Sequence, residues 1–277
     1  MLSRKYIQVL RAGTWVRRVT AMTDIVGLVG LVLAALAAGI INSVAGGGTL
    51  VSFPALVAFG QPEIVSNATN TAALWPGSVS SALGYRKDTS VQRGLLIILA
   101  VPSLVGGLVG AMILVNTTAE TFKLIVPFLV LFATLVLASR SILSKRIGSR
   151  TDGEHVTRMG QIGGTIFQFF VGTYGGYFGA GIGILMLGSF SLMGLRDVHK
   201  MNAIKTPLQA AVNLTAFIFF ALKGLVVWPL AFLMMGGAIT GGYGGARLAK
   251  RVNPRLLHYC IVAIGLGVSV WFFFKSF

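Results

Sequence analysis

The sequence predicts an all-α integral membrane protein of about eight transmembrane segments. They form two pseudo-symmetric, inverted repeats, each opening with a segment broken at a Gly-rich stretch. Three observations carry this prediction. Several uncharged runs reach the roughly 20 apolar residues that a membrane helix needs. Of the 277 residues, 55% are hydrophobic and 11% charged, and the mean hydropathy is +0.82, far from an ordinary soluble domain. Adding 135 to the numbering lays the second half over the first without a gap.

Three separated clusters share that register. Ala45, Gly46 and Gly48 fall on Ala180, Gly181 and Gly183. Asn67, Ala68 and Thr71 fall on Asn202, Ala203 and Thr206. Gly106, Gly107, Gly110 and Ala111 fall on Gly241, Gly242, Gly245 and Ala246. Chance alignment of a glycine-rich chain would not keep one offset through all three.

Residues 1–24 carry Arg4, Lys5, Arg11, Arg17 and Arg18 and read as a basic cytoplasmic tail, with Trp15 an interfacial anchor. They resemble a signal-peptide n-region, but the apolar run behind them extends too far, so cleavage is not expected. That run, residues 25–62, is uncharged and too long for one straight helix. Its triple glycine, Gly46-Gly47-Gly48, is a poor helix interior, because each glycine costs roughly 1 kcal/mol relative to alanine. The run therefore reads as two helical pieces joined by unwound backbone. Irregular backbone at membrane depth is tolerated only inside protein or along a polar cavity, and paired breaks of this kind mark transporter binding sites.

The first repeat, residues 25–139, continues with spans at 64–85, 94–119 and 124–139. The last begins after Glu120 and Lys123. Gly106, Gly107 and Gly110 read first as close helix packing. Residues 140–158 form a polar linker. The second repeat, residues 159–277, opens with an uncharged run at 159–195, broken around Gly179-Ala180-Gly181-Ile182-Gly183. Spans at 201–222, 224–246 and 256–274 follow.

Charge orients the halves. The loop at Glu120 holds one lysine, whereas its counterpart 135 residues on holds Arg247, Lys250, Arg251 and Arg255. In a parallel repeat the two would face one compartment, so the positive-inside bias favours inversion. A basic tail and a basic linker on the same side need an even number of crossings, and inversion needs an odd number. One broken segment is therefore expected to dip in and return.

Composition excludes several functions. The +16 charge sits in short loops between apolar runs, as orientation signals do, so nucleic-acid binding loses its basis. One cysteine, Cys260, excludes an intramolecular disulfide. All seven acids lie in loops or at span edges, leaving no intramembrane carboxylate for a proton relay or cation site. There is no catalytic constellation, metal-ligand cluster or cofactor motif, so the chain is not read as an enzyme. His199 reads as an ordinary interfacial histidine.

What remains at membrane depth is neutral polar groups, glycine backbone and one ammonium. Asn42, Gly46, Gly47, Gly48, Thr49, Asn67 and Asn70 surround the first break. Tyr177, Gly179, Gly181, Gly183, Asn202, Lys205, Gln209 and Asn213 surround the second. Lys205, Gln209 and Asn213 follow at intervals of four and share a helix face. Backbone N–H groups freed near half-helix N-termini favour an anion. Lys205 has two readings: its ammonium snorkels to the interface, or it faces the cavity and neutralises a bound oxyanion.

At these residues the chain resembles a known family. Asn42-Ser-Val-Ala-Gly-Gly-Gly-Thr49, then Asn67-Ala-Thr-Asn-Thr71 through Pro76-Gly77 to Gly84-Tyr85-Arg86-Lys87, is similar to the sulfite exporter TauE/SafE family. The Gly-rich break at 174–183 and Asn202-Ala-Ile-Lys-Thr206 fit as well. The resemblance covers roughly residues 25–274. It implies a multi-pass permease of the bacterial inner membrane, moving sulfite, a sulfonate or a related organosulfur anion through the lipid bilayer. It leaves room for a homodimer.

Two readings stand. One is a secondary transporter whose anion sits between the breaks, driven by the anion's own gradient. The other is a membrane subunit that scaffolds a partner or senses an anion without moving it. Internal duplication around paired breaks favours the transporter, since alternating access uses two related halves.

Overall fold

The computed structural model describes residues 25–85, 93–139, 158–195, 198–248 and 254–276. Among them the chain is helical throughout. The first half forms α1 (Ile25–Val44), α2 (Thr49–Ala58), α3 (Glu63–Gly84), α4 (Arg93–Asn116) and α5 (Ala119–Ala138). The second forms α6 (Arg158–Tyr177), α7 (Ile182–Leu192), α8 (Val198–Leu222), α9 (Trp228–Leu248) and α10 (Pro254–Ser276). The tail at 1–24 with Trp15, nearly all of the linker and the loop charges Arg86, Lys87, Arg196, Lys250 and Arg251 lie outside the described residues. So does the side chain of His199.

Four helices are long and apolar enough to cross a membrane by length and composition: Ile25–Val44, Gly94–Asn116, Ala119–Ala138 and Lys200–Leu222. Shorter apolar helical stretches lie at Thr49–Ala58, Ile182–Ser191 and Tyr259–Lys275. The outer surface is apolar, with Val26, Leu33, Ile97, Val101, Phe170 and Phe232 all exposed. In water so continuous a patch is a liability, whereas against lipid it is the surface a membrane protein needs.

Boundaries differ from the sequence expectation: α4 ends at Asn116 rather than 119, α9 starts at Trp228 rather than 224, and α5 starts early. The span expected from residue 124 starts at Ala119, so Glu120 and Lys123 lie inside α5. Thr118 is the reason: its hydroxyl accepts the Thr121 N–H at 3.2 Å, capping the helix start. Glu120 in the first turn complements the positive end of the helix dipole.

Helices α3, α4 and α5 start at residues 63, 93 and 119; α8, α9 and α10 start at 198, 228 and 254, each 135 residues later. Packing follows the same offset. Helix α1 lies on α9 as α6 lies on α4, and α9 packs on α3 as α4 packs on α8. Each half thus packs chiefly against the other.

The glycine clusters make this possible. A Cβ on Gly241 would strike the backbone of Leu36, and one on Gly245 that of Ile40, so α1 and α9 run in parallel at backbone contact. Gly106 meets Phe169 and Thr173, and Gly110 meets Thr173 and Tyr177, which sets α4 parallel to α6. Gly77 and Gly84 meet Ala238 and Ala246, so α3 also runs parallel to α9. Small residues here serve close approach, as in membrane helix pairs generally.

The two central pairs run the other way. Trp75 stacks on Phe217 with centroids 5.5 Å apart, and Asn213 Nδ2 donates to Ser78 Oγ at 3.4 Å, so α3 and α8 are antiparallel. Ser269 Oγ donates to Pro127 O at 3.4 Å and Gly265 packs on Thr134, so α5 and α10 are antiparallel too. Ser78 and Asn213 are counterparts at the 135 offset. Counterpart residues of the two halves therefore touch one another here.

Candidate functional site

The first break is built from the end of α1. The N–H groups of Ala45 and Gly46 both bond Ile41 O, tightening the last turn. Gly46 then takes φ +82°, a left-handed conformation that glycine adopts without a Cβ penalty. Gly48 lies against the backbone of Ala38, which turns α2 back along α1 as a hairpin. The second break repeats the device: Gly179 N–H reaches back to Tyr174 O, and Gly181, the counterpart of Gly46, has φ +74°.

The two tips meet. Gly183 N–H donates to Gly46 O at 3.2 Å, and a Cβ on either glycine would collide with the other's Cα. Gly48 N–H donates to Asn42 Oδ1 at 2.8 Å. Several backbone donors that could have faced an anion are therefore bonded within the tips.

Lys205 is buried to 0% exposure on α8. Its Nζ lies 3.3 Å from Asn42 O and 3.2 Å from Ser43 O, the last carbonyls of α1. The interfacial reading of Lys205 does not hold, because the ammonium has no route to solvent. A buried charge needs partners, and helix C-terminal carbonyls carry the negative end of the dipole. At the second tip the same role falls to an amide: Asn67 Nδ2 donates to Tyr177 O at 2.9 Å. Tyr177 is the counterpart of Asn42. Asn70, the counterpart of Lys205, sits one turn from Asn67 and donates to Thr49 Oγ1 at 3.4 Å. Each tip is thus fastened to a central helix of the opposite half, one by a charge and one by an amide.

The sequence-derived set divides accordingly. Asn42, Gly46, Gly48, Thr49, Asn70, Gly183 and Lys205 gather around the inter-tip contact. Asn67 and Tyr177 form the second fastening, and Asn213 bonds Ser78 between α3 and α8. Gly47 instead packs on the Leu137 side chain and Gly181 on Ala133, both of α5. Gly179 is the turn after α6, and Asn202 is buried with its Oδ1 unpaired. Gln209 lines a narrow crevice with Asn42, Ser78, Ser81 and Thr206, of about 140 Å³ but too thin for a water-sized sphere. Ser78 and Ser81 were missed from sequence. Ser78 was within reach, being the counterpart of Asn213.

Among the described residues no carboxylate is buried and no group of His, Cys, Asp and Glu side chains could hold a metal. A family model described as sulfite exporter TauE/SafE matches residues 31–272. The chain belongs to the TauE/SafE family. Relatives named "Probable membrane transporter protein" share its length. The one from Haemophilus influenzae is 26% identical over 245 residues, covering 86% of this chain and 93% of its own. The one from Escherichia coli K12, YfcA, is 29% identical and covers 89% of each chain. The Sinorhizobium relative, ORF9, is also 29% identical, over 87% of this chain and 90% of its own. No solved structure matches. This TauE/SafE chain is a multi-pass membrane transporter, and its site is read below on that basis.

Proposed function

We propose that the protein is a permease of the bacterial inner membrane for a small sulfur-containing oxyanion, sulfite or a sulfonate. The observation that carries this reading is Lys205, a fully buried ammonium beside the tips, held by the carbonyls of Asn42 and Ser43. A buried cation at membrane depth favours an anion as its ligand over a second cation. The family name points to sulfur. Titrating purified protein with sulfite, thiosulfate and methanesulfonate, and with sodium and choline as cations, tests it. Saturable binding of at least one of these anions and of neither cation is expected; binding of the cations alone would refute it.

The reading includes inverted repeats. Counterparts α3 and α8, and α5 and α10, run antiparallel, which supports a two-fold axis lying in the membrane plane. If each α1–α2 and α6–α7 hairpin enters and returns, three crossings remain per half, the odd number that inversion needs. The basic loops at 86–93, 140–158 and 249–253 then share the cytoplasmic side. Glu63, paired with Lys275 at 3.6 Å, and the loop at 117–118 face outward. Because α1 runs parallel to α3, Ile25 starts on the outer side, opposite Arg86, which departs from the expectation that the tail at 1–24 shares the cytoplasmic side with the linker. Single-cysteine labelling in a Cys260→Ala background should modify residue 117 from outside and residue 250 only after permeabilisation. Outside labelling at residue 250 would contradict inversion.

A further inference from the structure

The two sides of the pseudo-two-fold axis are not equally polar. The crevice lined by Asn42, Ser78, Ser81, Thr206 and Gln209 lies between the last turns of α3 and the first turns of α8. Those ends run into Arg86 and Lys87, and follow Arg196, in sequence. Its counterparts on the other side of the axis are Tyr177, Asn213, Ala216, Thr71 and Leu74. There Tyr177 packs edge-on against Phe122, and Ala216 and Leu74 are buried in apolar clusters. An exact repeat would have made two equal crevices. This chain keeps a polar side chain at all five positions in one, and in the other has Ala216 and Leu74 where Ser81 and Gln209 stand.

A second observation points to a ligand. Ser81 is 2% exposed, lines the crevice, and its Oγ has no hydrogen-bond partner. A buried hydroxyl left unpaired is a standing cost, and such groups are rare without a role. The space between the tips themselves is closed by backbone contact between Gly46 and Gly183.

We infer that the oxyanion binds in this crevice when it opens beyond the width seen here, which does not admit a water-sized sphere, with Ser81 donating to it. The proposal rests on the anion-transport reading and moves the subsite from between the tips to the side of the basic loops. Asn42 lines the crevice and its carbonyl also accepts from Lys205 Nζ, so the ammonium lies one residue from the same space. Hydroxyl and amide donors around an oxyanion, with one cation beside it, are the chemistry that recognises sulfite or a sulfonate head.

The test titrates sulfite and methanesulfonate onto the purified full chain, unaltered and as Ser81→Ala, Lys205→Gln and Thr134→Val. Thr134 is a buried hydroxyl on α5 that donates to Val130 O and does not line the crevice. Ser81→Ala is expected to weaken binding about tenfold, the effect of one lost charge-assisted hydrogen bond. Its melting temperature should hold or rise, because the change removes an unpaired buried hydroxyl. Thr134→Val should leave affinity unchanged. Unchanged affinity in Ser81→Ala beside a weakened Lys205→Gln would overturn the crevice and leave the anion-transport reading intact. Failure of the unaltered protein to bind either anion would overturn both.

Discussion

Lys205→Gln is expected to weaken oxyanion binding by about tenfold or more, about 1.4 kcal/mol, in a protein that still folds. The fold is spared because glutamine keeps an N–H donor for the last carbonyls of α1. The other half shows that an amide suffices there, with Asn67 holding Tyr177 O. What glutamine cannot supply is the charge. Lys205→Leu should do worse on both counts, leaving the carbonyls of Asn42 and Ser43 buried without this donor. Lys205→Arg should restore binding only in part, since a planar fork fits two carbonyls and an anion differently from a point charge. Isothermal titration checks affinity and a thermal melt checks folding. Equal affinity in Lys205→Gln and the unaltered protein would make the lysine a purely structural fastening.

The second large effect concerns the contact between the tips. Gly46→Ala places a Cβ into Gly183 Cα and forces a left-handed backbone on alanine. Overpacking a closed contact costs about 1–3 kcal/mol, and the left-handed conformation about 1–2 kcal/mol more. Gly183→Ala meets the same wall from the other side without the φ penalty, so it should be the milder of the two. Gly30→Ala is the control, because nothing lies within 4 Å of its added Cβ. Melting temperatures should fall in the order Gly30→Ala, Gly183→Ala, Gly46→Ala. A Gly46→Ala protein as stable as the Gly30→Ala control would mean that the tips do not touch.

Much of this architecture was legible in the residues. Glycine breaks read as unwound backbone because helices tolerate glycine runs poorly, and α1 ends at Val44, just before Gly46. The 135 offset recurs in the observed helix starts, whereas the spans read from charge alone began at 201, 224 and 256 and so missed it. Gly106, Gly107 and Gly110 read as packing, and they pack on α6 and α8. The start of α5 was misplaced, since charge was taken as a boundary where Thr118 provides a cap. The partner of Lys205 was hidden for a different reason. It is a pair of backbone carbonyls 162 and 163 residues away, and carbonyls leave no mark in a sequence. Ser81 was passed over because serines in membrane helices ordinarily bond the preceding turn, as Ser78 Oγ does with Leu74 O. Only the packed neighbours reveal that Ser81 has no such partner.

Under the proposed function, this chain alone moves an oxyanion through a site governed by Lys205. The most direct test is uptake of radiolabelled sulfite, thiosulfate and methanesulfonate into vesicles containing only the purified protein, with Lys205→Gln in parallel. The account predicts saturable, gradient-driven uptake of at least one anion by the unaltered protein, reduced about tenfold or more at subsaturating anion in Lys205→Gln. Uptake of none of the three by folded protein, or uptake untouched by the substitution, would contradict it.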